Sequence, residues 1–167
     1  MIIWLVGKSA SGKSTIGEVL YKQLKEKNPS TVYLDGDEMR QAIGEDLKFT
    51  IEDRYISEKR TSNLCKLLDN QNIDVVCPKL SNSPELRDWN RKNFRNYFEI
   101  YVKVDQHILE ERDPKSIYQK YRKGTMNNVV GLDIPFIEPK NPDLIISNDG
   151  SKSAEEITNY IIKELNL

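Results

Sequence analysis

The stretch G-K-S-A-S-G-K-S-T at residues 7–15 constrains this chain more than any other. It satisfies G-x-x-x-x-G-K-[ST] through Gly7, Gly12, Lys13 and Ser14. The apolar run Ile2, Ile3, Trp4, Leu5 and Val6 before it reads as a buried strand, and Ile16, Val19, Leu20 and Leu24 after it fall on one face of a helix. A loop in that context aims successive backbone N–H groups at phosphate oxygens. The partial positive charge of the helix N-terminus adds to them. In this pattern Gly7, Ser9, Ala10, Ser11, Gly12, Lys13, Ser14 and Thr15 surround the phosphates. Lys13 puts a point charge near the transferred phosphate, and the Ser14 hydroxyl is offered to Mg²⁺. The chain is therefore expected to bind a nucleoside triphosphate together with magnesium.

At 167 residues the chain has the length of one domain, 1–167, with a core of useful size. A net charge of −1, with 31% of residues charged, means a mixed surface and not the basic field that nonspecific nucleic-acid binding needs. No apolar run approaches the length of a membrane span, and Met1 leads directly into a strand without a leader pattern, so the expected location is the cytoplasm. Cys65 and Cys77 have no metal spacing and read as reduced core thiols. His107, the only histidine, reads as helix surface.

Strand patterns at 2–6, 31–34, 73–77, 98–104 and 144–146 alternate with helical ones throughout the chain. This predicts an α/β fold, a three-layer α/β/α sandwich around a parallel sheet of about five strands. The helix over 51–68 is patterned by Ile56, Leu64, Leu67 and Leu68, and Pro114 fits the first turn of a helix over 116–122. Ser153 and Glu156 fit a capping box at the last helix. Gly124, Gly131, Pro135, Pro139 and Pro142 break the pattern near 122–142, a long loop that reads as a lid. Ligands of such sheets bind beyond the carboxyl ends of the strands. That edge gathers the phosphate loop, residues 35–40, residues 78–84 and the segment after Asp105.

Asp35 and Asp37 follow the second strand two residues apart. One carboxylate can serve the magnesium shell while the other takes a proton from an attacking hydroxyl. The competing reading is an Asp-Gly turn with a helix N-cap, positions that Asp favours for local reasons. Arg40, Arg54, Arg60, Arg87, Arg91, Arg112, Lys115 and Arg122 are candidates to neutralise phosphates, about half of them expected to be solvated surface. The third strand ends without an acidic residue, so the paired aspartates favour a small-molecule kinase with its own acceptor pocket over a nucleotide switch.

Four further pieces join the phosphate loop: L-D-G-D-E-M-R at 34–40, F-T-I-E-D-R at 49–54, E-R-D-P-K-S-I-Y at 111–118 and G-L-D-I-P-F-I-E-P-K-N-P at 131–142. Over nearly its whole length the chain resembles the adenylylsulfate kinase family of P-loop kinases, which move the ATP γ-phosphate to a ribose 3′-hydroxyl and are often homodimers. The resemblance implies Lys13, Ser14 and Mg²⁺ at ATP, with Arg112 against the adenine. It implies Asp37 as the base, assisted by Lys13 and by Asp35 in the metal shell. Arg40 and Arg54 match residues holding the acceptor's phosphate-linked end, Phe49 one that stacks on its base, and Ser81 and Lys115 further acceptor contacts.

Three places depart from the family. Ser57 stands where the family has asparagine, and Val129 replaces a phenylalanine that stacks opposite the one matching Phe49. The usual I-S-P-Y-R reads Leu80-Ser81-Asn82-Ser83-Pro84. Base–aromatic stacking is worth about 1–3 kcal/mol, so losing one side of the sandwich is expected to lower affinity for an adenine acceptor by roughly tenfold or more. The altered positions cluster at the acceptor. The resemblance thus points to a non-adenine conjugate such as cytidine diphosphoramidate, used in capsule polysaccharide modification. Adenylylsulfate in sulfate activation is the alternative acceptor, and a noncatalytic nucleotide-binding regulatory protein is the alternative of another class.

Overall fold

A computed structural model describes residues 1–167. The elements run β1 (Ile2–Val6), α1 (Lys13–Lys27), β2 (Val32–Tyr33), α2 (Gly36–Ile43), α3 (Ile51–Asn70), β3 (Val75–Lys79), α4 (Pro84–Asn93), β4 (Tyr97–Lys103), α5 (Gln106–Arg112), α6 (Ile117–Arg122), β5 (Leu144–Ser147) and α7 (Ala154–Leu165). The five strands form one parallel sheet in the order β2-β3-β1-β4-β5.

β1 is central and carries no charged side chain: all five side chains are buried, as a strand covered on both faces requires. Successive side chains point to opposite faces. Ile3 and Leu5 join Ile16, Leu20 and Leu24 of α1 and Ile157 and Ile161 of α7. Ile2, Trp4 and Val6 join Cys65 of α3 and Phe94 after α4 on the other face. The result is the expected three-layer sandwich. The predicted capping box is present: Ser153 Oγ accepts from Glu156 N, and the Glu156 carboxylate accepts from Ser153 N. Cys65 and Cys77 are buried free thiols.

Three local expectations are corrected. The third strand starts two residues late because Ile73 N still donates to Leu68 O and closes α3. It then continues through Pro78 and Lys79. Leu34 N donates to Val76 O, so even-numbered residues of β3 face β2. The donor that Pro78 lacks would point to that side, where β2 has already ended, and the proline costs no ladder bond. Secondly, the apolar residues that pattern α3 are not its fully buried ones, Leu64 and Leu68 being only half-buried. Its buried side chains are Ser57, Glu58, Thr61, Ser62, Cys65 and Asp69, whereas Ile56 is 38% and Leu67 55% exposed. Thirdly, Pro114 lies in a turn before α6, not in its first turn.

The segment 122–142 is fastened at several points. The Asp133 carboxylate accepts from the backbone N–H groups of Asn128 (2.7 Å) and Val129 (2.6 Å). Asn82 Nδ2 donates to Pro135 O, and its Oδ1 accepts from Ile137 N. Only its stretch 126–130 faces the cleft described below.

Candidate active site

A cleft of about 480 Å³ opens at the carboxyl ends of the strands. The phosphate loop forms one wall. Gly12 caps α1 with φ +85°, a left-handed conformation, and a Cβ there would also sit 2.5 Å from Asn148 Nδ2. A Cβ on Gly7 would meet Ser11 Oγ at 2.6 Å and Val102 O at 2.9 Å. The loop is braced from outside: Asn148 Nδ2 donates to Ser11 O and Tyr118 OH to Ser9 O.

Lys13 Nζ donates to Lys8 O at 3.1 Å. Burial pushes its pKa down to about 8. The charge of Lys115 adds to that, and those of Asp35 and Asp37 oppose it. Asp35 is the helix N-cap that one reading of its sequence expects, and its second oxygen faces the phosphate loop. Its Oδ1 caps α2 by accepting from Asp37 N at 2.8 Å, while its Oδ2 accepts from Ser14 Oγ at 2.7 Å. A hydroxyl and a carboxylate oxygen thus converge on one point beside the phosphate loop, a hard oxygen pair of the kind that shares Mg²⁺ with substrate phosphates. No cluster of three or more His, Cys, Asp or Glu side chains offers a self-sufficient metal cage. Asp37 pairs with Lys115, and both are exposed at the rim.

The opposite wall holds Arg40, Phe49, Arg54, Ser57, Ser81 and Val129. The Arg40 and Arg54 guanidiniums lie 4.7 and 5.4 Å from the Phe49 ring centroid. Phe49 is 47% exposed at the mouth. Arg54 Nε donates to Phe49 O and its Nη2 to Asn128 O, which joins the ring to the 126–130 stretch. Burial, and then the charge of Arg40, lower the Arg54 pKa, the mark of two cations held together. Val129 is buried with Val104, Leu109 and Tyr118 and presents an aliphatic surface to the cleft.

Fifteen residues singled out from sequence thus share one cleft: Ser9, Ala10, Gly12, Lys13, Ser14, Thr15, Asp35, Asp37, Arg40, Phe49, Arg54, Ser57, Ser81, Lys115 and Val129. Three do not line it. Gly7 and Ser11 sit behind the loop and shape it. Arg112 lies near Asp149 and Gly150, on the β5–α7 connection that also braces the loop through Asn148. Of the other basic candidates, Arg60 pairs with Asp46, Arg91 with Asp143, Arg122 with Glu110 and Arg87 with Glu99, none in the cleft wall.

Sequence reading missed two charged wall residues, Glu58 and Lys79. Lys79 had a signal: period-2 alternation from Val75 and Cys77 puts it on the α3 face, at the carboxyl end where ligands bind.

The model of the adenylylsulphate kinase family matches residues 1–147. A cytidine diphosphoramidate kinase of Campylobacter jejuni is 40% identical over 166 residues, covering 99% of this chain and 96% of that protein. An adenylyl-sulfate kinase of Halothermothrix orenii is 36% identical over 163 residues, covering 98% and 88%. The structure of the Mycobacterium tuberculosis APS kinase CysC in complex with AMPPNP and APS superposes with a TM-score of 0.90 at 33% identity, covering 99% of this chain and 97% of that one.

Proposed function

Because the chain belongs to the adenylylsulphate kinase family, we propose that it transfers the γ-phosphate of ATP to the ribose 3′-hydroxyl of a nucleotide 5′-phospho-conjugate with a non-adenine base, cytidine diphosphoramidate being the leading acceptor. The single observation that carries the acceptor reading is the aliphatic Val129 beside the Arg54–Phe49 pair. The cleft offers one aromatic face to a base and not two. Likeness to the Campylobacter cytidine diphosphoramidate kinase supports the same reading.

The residues divide the work along the cleft. The phosphate-loop amides and Lys13 hold the triphosphate. Ser14 Oγ and Asp35 Oδ2 would hold Mg²⁺, which when bound supplies neutralising charge at the phosphate oxygens. Arg112 lies on the far side of the loop, where the adenine of ATP is expected. Asp37 accepts the 3′-hydroxyl proton, and Lys115 orients that carboxylate. Arg40 and Arg54 bind the 5′ phosphate chain, Phe49 stacks on the base, and Ser57 and Ser81 complete the acceptor wall. The 126–130 stretch excludes water, the competing phosphoryl acceptor.

Restoring the second aromatic face tests this. Val129→Phe is expected to raise kcat/KM for adenylylsulfate by about 5- to 100-fold, the worth of one base–aromatic stack, with kcat/KM for Mg·ATP unchanged. The check is ADP release over adenylylsulfate, cytidine diphosphoramidate and plain mono- and diphosphonucleotides. If the unmodified protein already prefers adenylylsulfate and the substitution adds nothing, the acceptor reading is wrong.

Lys13 makes a prediction about pH. Its ammonium is charged below a pKa of about 8 and neutral above it, so kcat/KM for Mg·ATP should fall as pH rises through 8. Bound phosphates hold the proton on, so kcat should persist to higher pH. Stability runs the other way: the unfolded chain, with a pKa of 10.5, binds more protons between about 8 and 10.5, so this group makes stability rise with pH there. A kcat/KM profile flat from pH 7 to 9.5 would contradict the assignment.

A further inference from the structure

The floor of the acceptor wall carries a buried lysine and a buried glutamate that the proposed chemistry leaves unused; burial lowers the Lys79 pKa and raises that of Glu58, and the charge of each opposes the other's shift. Lys79 is 7% and Glu58 2% exposed, and both face the cleft. Buried charges ordinarily pair directly. These do not: Lys79 Nζ donates to Thr61 Oγ1 at 3.0 Å and Ser57 Oγ at 3.4 Å, and Glu58 Oε1 accepts from Ser81 Oγ at 2.5 Å. Two nearby features hold the carboxylate in place. Ser81 adopts φ +48°, rare for a residue with a side chain, and Arg87 Nη1 donates to its carbonyl at 2.6 Å. A carboxylate has about four acceptor sites and an ammonium three donors, so each keeps capacity for a ligand.

Their depth says which part of the acceptor they meet. α3 enters at the mouth, where Arg54 reaches Phe49 and Asn128, and descends through Ser57 and Glu58 to Thr61 beside Lys79. An acceptor with its 3′-hydroxyl at Asp37 and its base on exposed Phe49 directs its 5′ chain past Arg40 toward this floor. Arg40 and Lys79 line the same cleft, and the Arg40 charge adds to burial in lowering the Lys79 pKa.

We infer that Glu58 and Lys79 select the terminal group of the acceptor's 5′ chain, requiring a group that carries both an anionic oxygen and an N–H donor, as a phosphoramidate does. Lys79 donates to the P–O⁻ oxygen and Glu58 accepts from P–NH₂. A terminal sulfate has only acceptor oxygens and meets the Glu58 carboxylate as a like charge. The inference rests on the acceptor reading above for the placement of the 5′ chain, but it concerns the end of the acceptor opposite the base.

A grid of four acceptors separates the two claims: cytidine diphosphoramidate, cytidine phosphosulfate, adenosine diphosphoramidate and adenylylsulfate, each with Mg·ATP. On either base, the phosphoramidate should exceed the sulfate in kcat/KM by at least about tenfold. Glu58→Gln should shrink that ratio by about 10- to 100-fold, the worth of a hydrogen bond to a charged group, with the KM for ATP unchanged. Sulfate and phosphoramidate used equally by the unmodified protein would overturn the inference, whether or not the variant folds. So would a ratio that Glu58→Gln leaves intact. A preference for adenine with the phosphoramidate still favoured would overturn only the base reading, and silence on all four would overturn both.

Discussion

Replacing Asp37 by asparagine is expected to lower kcat by about 10²- to 10⁴-fold, the usual worth of a positioned general base, while leaving the Kd for Mg·ATP within about twofold. The substitution keeps the shape of the side chain and the backbone N–H that Asp35 accepts, so the cap on α2 survives. It releases Lys115 from an ion pair exposed at the rim, and such a pair contributes little to stability. The effect should therefore appear in turnover and not in folding. Stopped kinetics with retained ATP binding separates a kinase from a nucleotide-binding regulator built on the same fold. A kcat within threefold of the unmodified protein would mean that the loose transition state of phosphoryl transfer needs no base here, and Asp37 would lose its assigned role.

The largest expected loss of stability comes from Arg87→Ala. Arg87 and Glu99 are both about 5% exposed, with Nε and Oε2 3.9 Å apart. Arg87 also donates to Ser81 O and reaches Glu138 O, tying the β3–α4 connection to the segment 122–142. Burial already raises the Glu99 pKa, and the Arg87 charge is the first influence opposing that. Removing one partner of a buried pair costs about 3–5 kcal/mol because the other charge stays buried. For a chain of this size that is a fall in Tm of about 6–20 °C. Thermal unfolding measures it directly, and adding Glu99→Gln should restore part of the loss by removing the stranded charge. A fall in Tm below about 2 °C would show that the pair is effectively solvated.

The fold was legible wherever apolar residues serve only the core. β1 reads as buried on both faces and is so, and the strand–helix alternation leaves few topologies once crossovers are right-handed. Legibility failed where one surface serves both core and site. α3 turns Ser57, Glu58 and Thr61 inward because its first half lines the cleft, and leaves Ile56 and Leu67 outward. Periodicity alone favours the opposite face. Pro78 and Lys79 were assigned to loop for the same reason: a proline and a charge argue against a buried strand unless the neighbouring strand has ended and the charge has a cleft to face. The phosphate loop and the aspartate pair were found because their chemistry depends on local spacing, and Arg40 and Arg54 through the family resemblance of the stretches that carry them. Glu58 and Lys79 are 21 residues apart and reach the same wall only through packing of α3 on β3.

The central claim is a 3′-kinase whose acceptor is not an adenine nucleotide. A competition assay tests it most directly: adenylylsulfate and cytidine diphosphoramidate at equal concentration, limiting Mg·ATP, and the new phosphate located by ³¹P NMR. The expected result is phosphate on the 3′-oxygen of the cytidine conjugate in at least tenfold excess over the adenosine one. Excess on adenylylsulfate, or phosphate at any position other than the 3′-oxygen, contradicts the account.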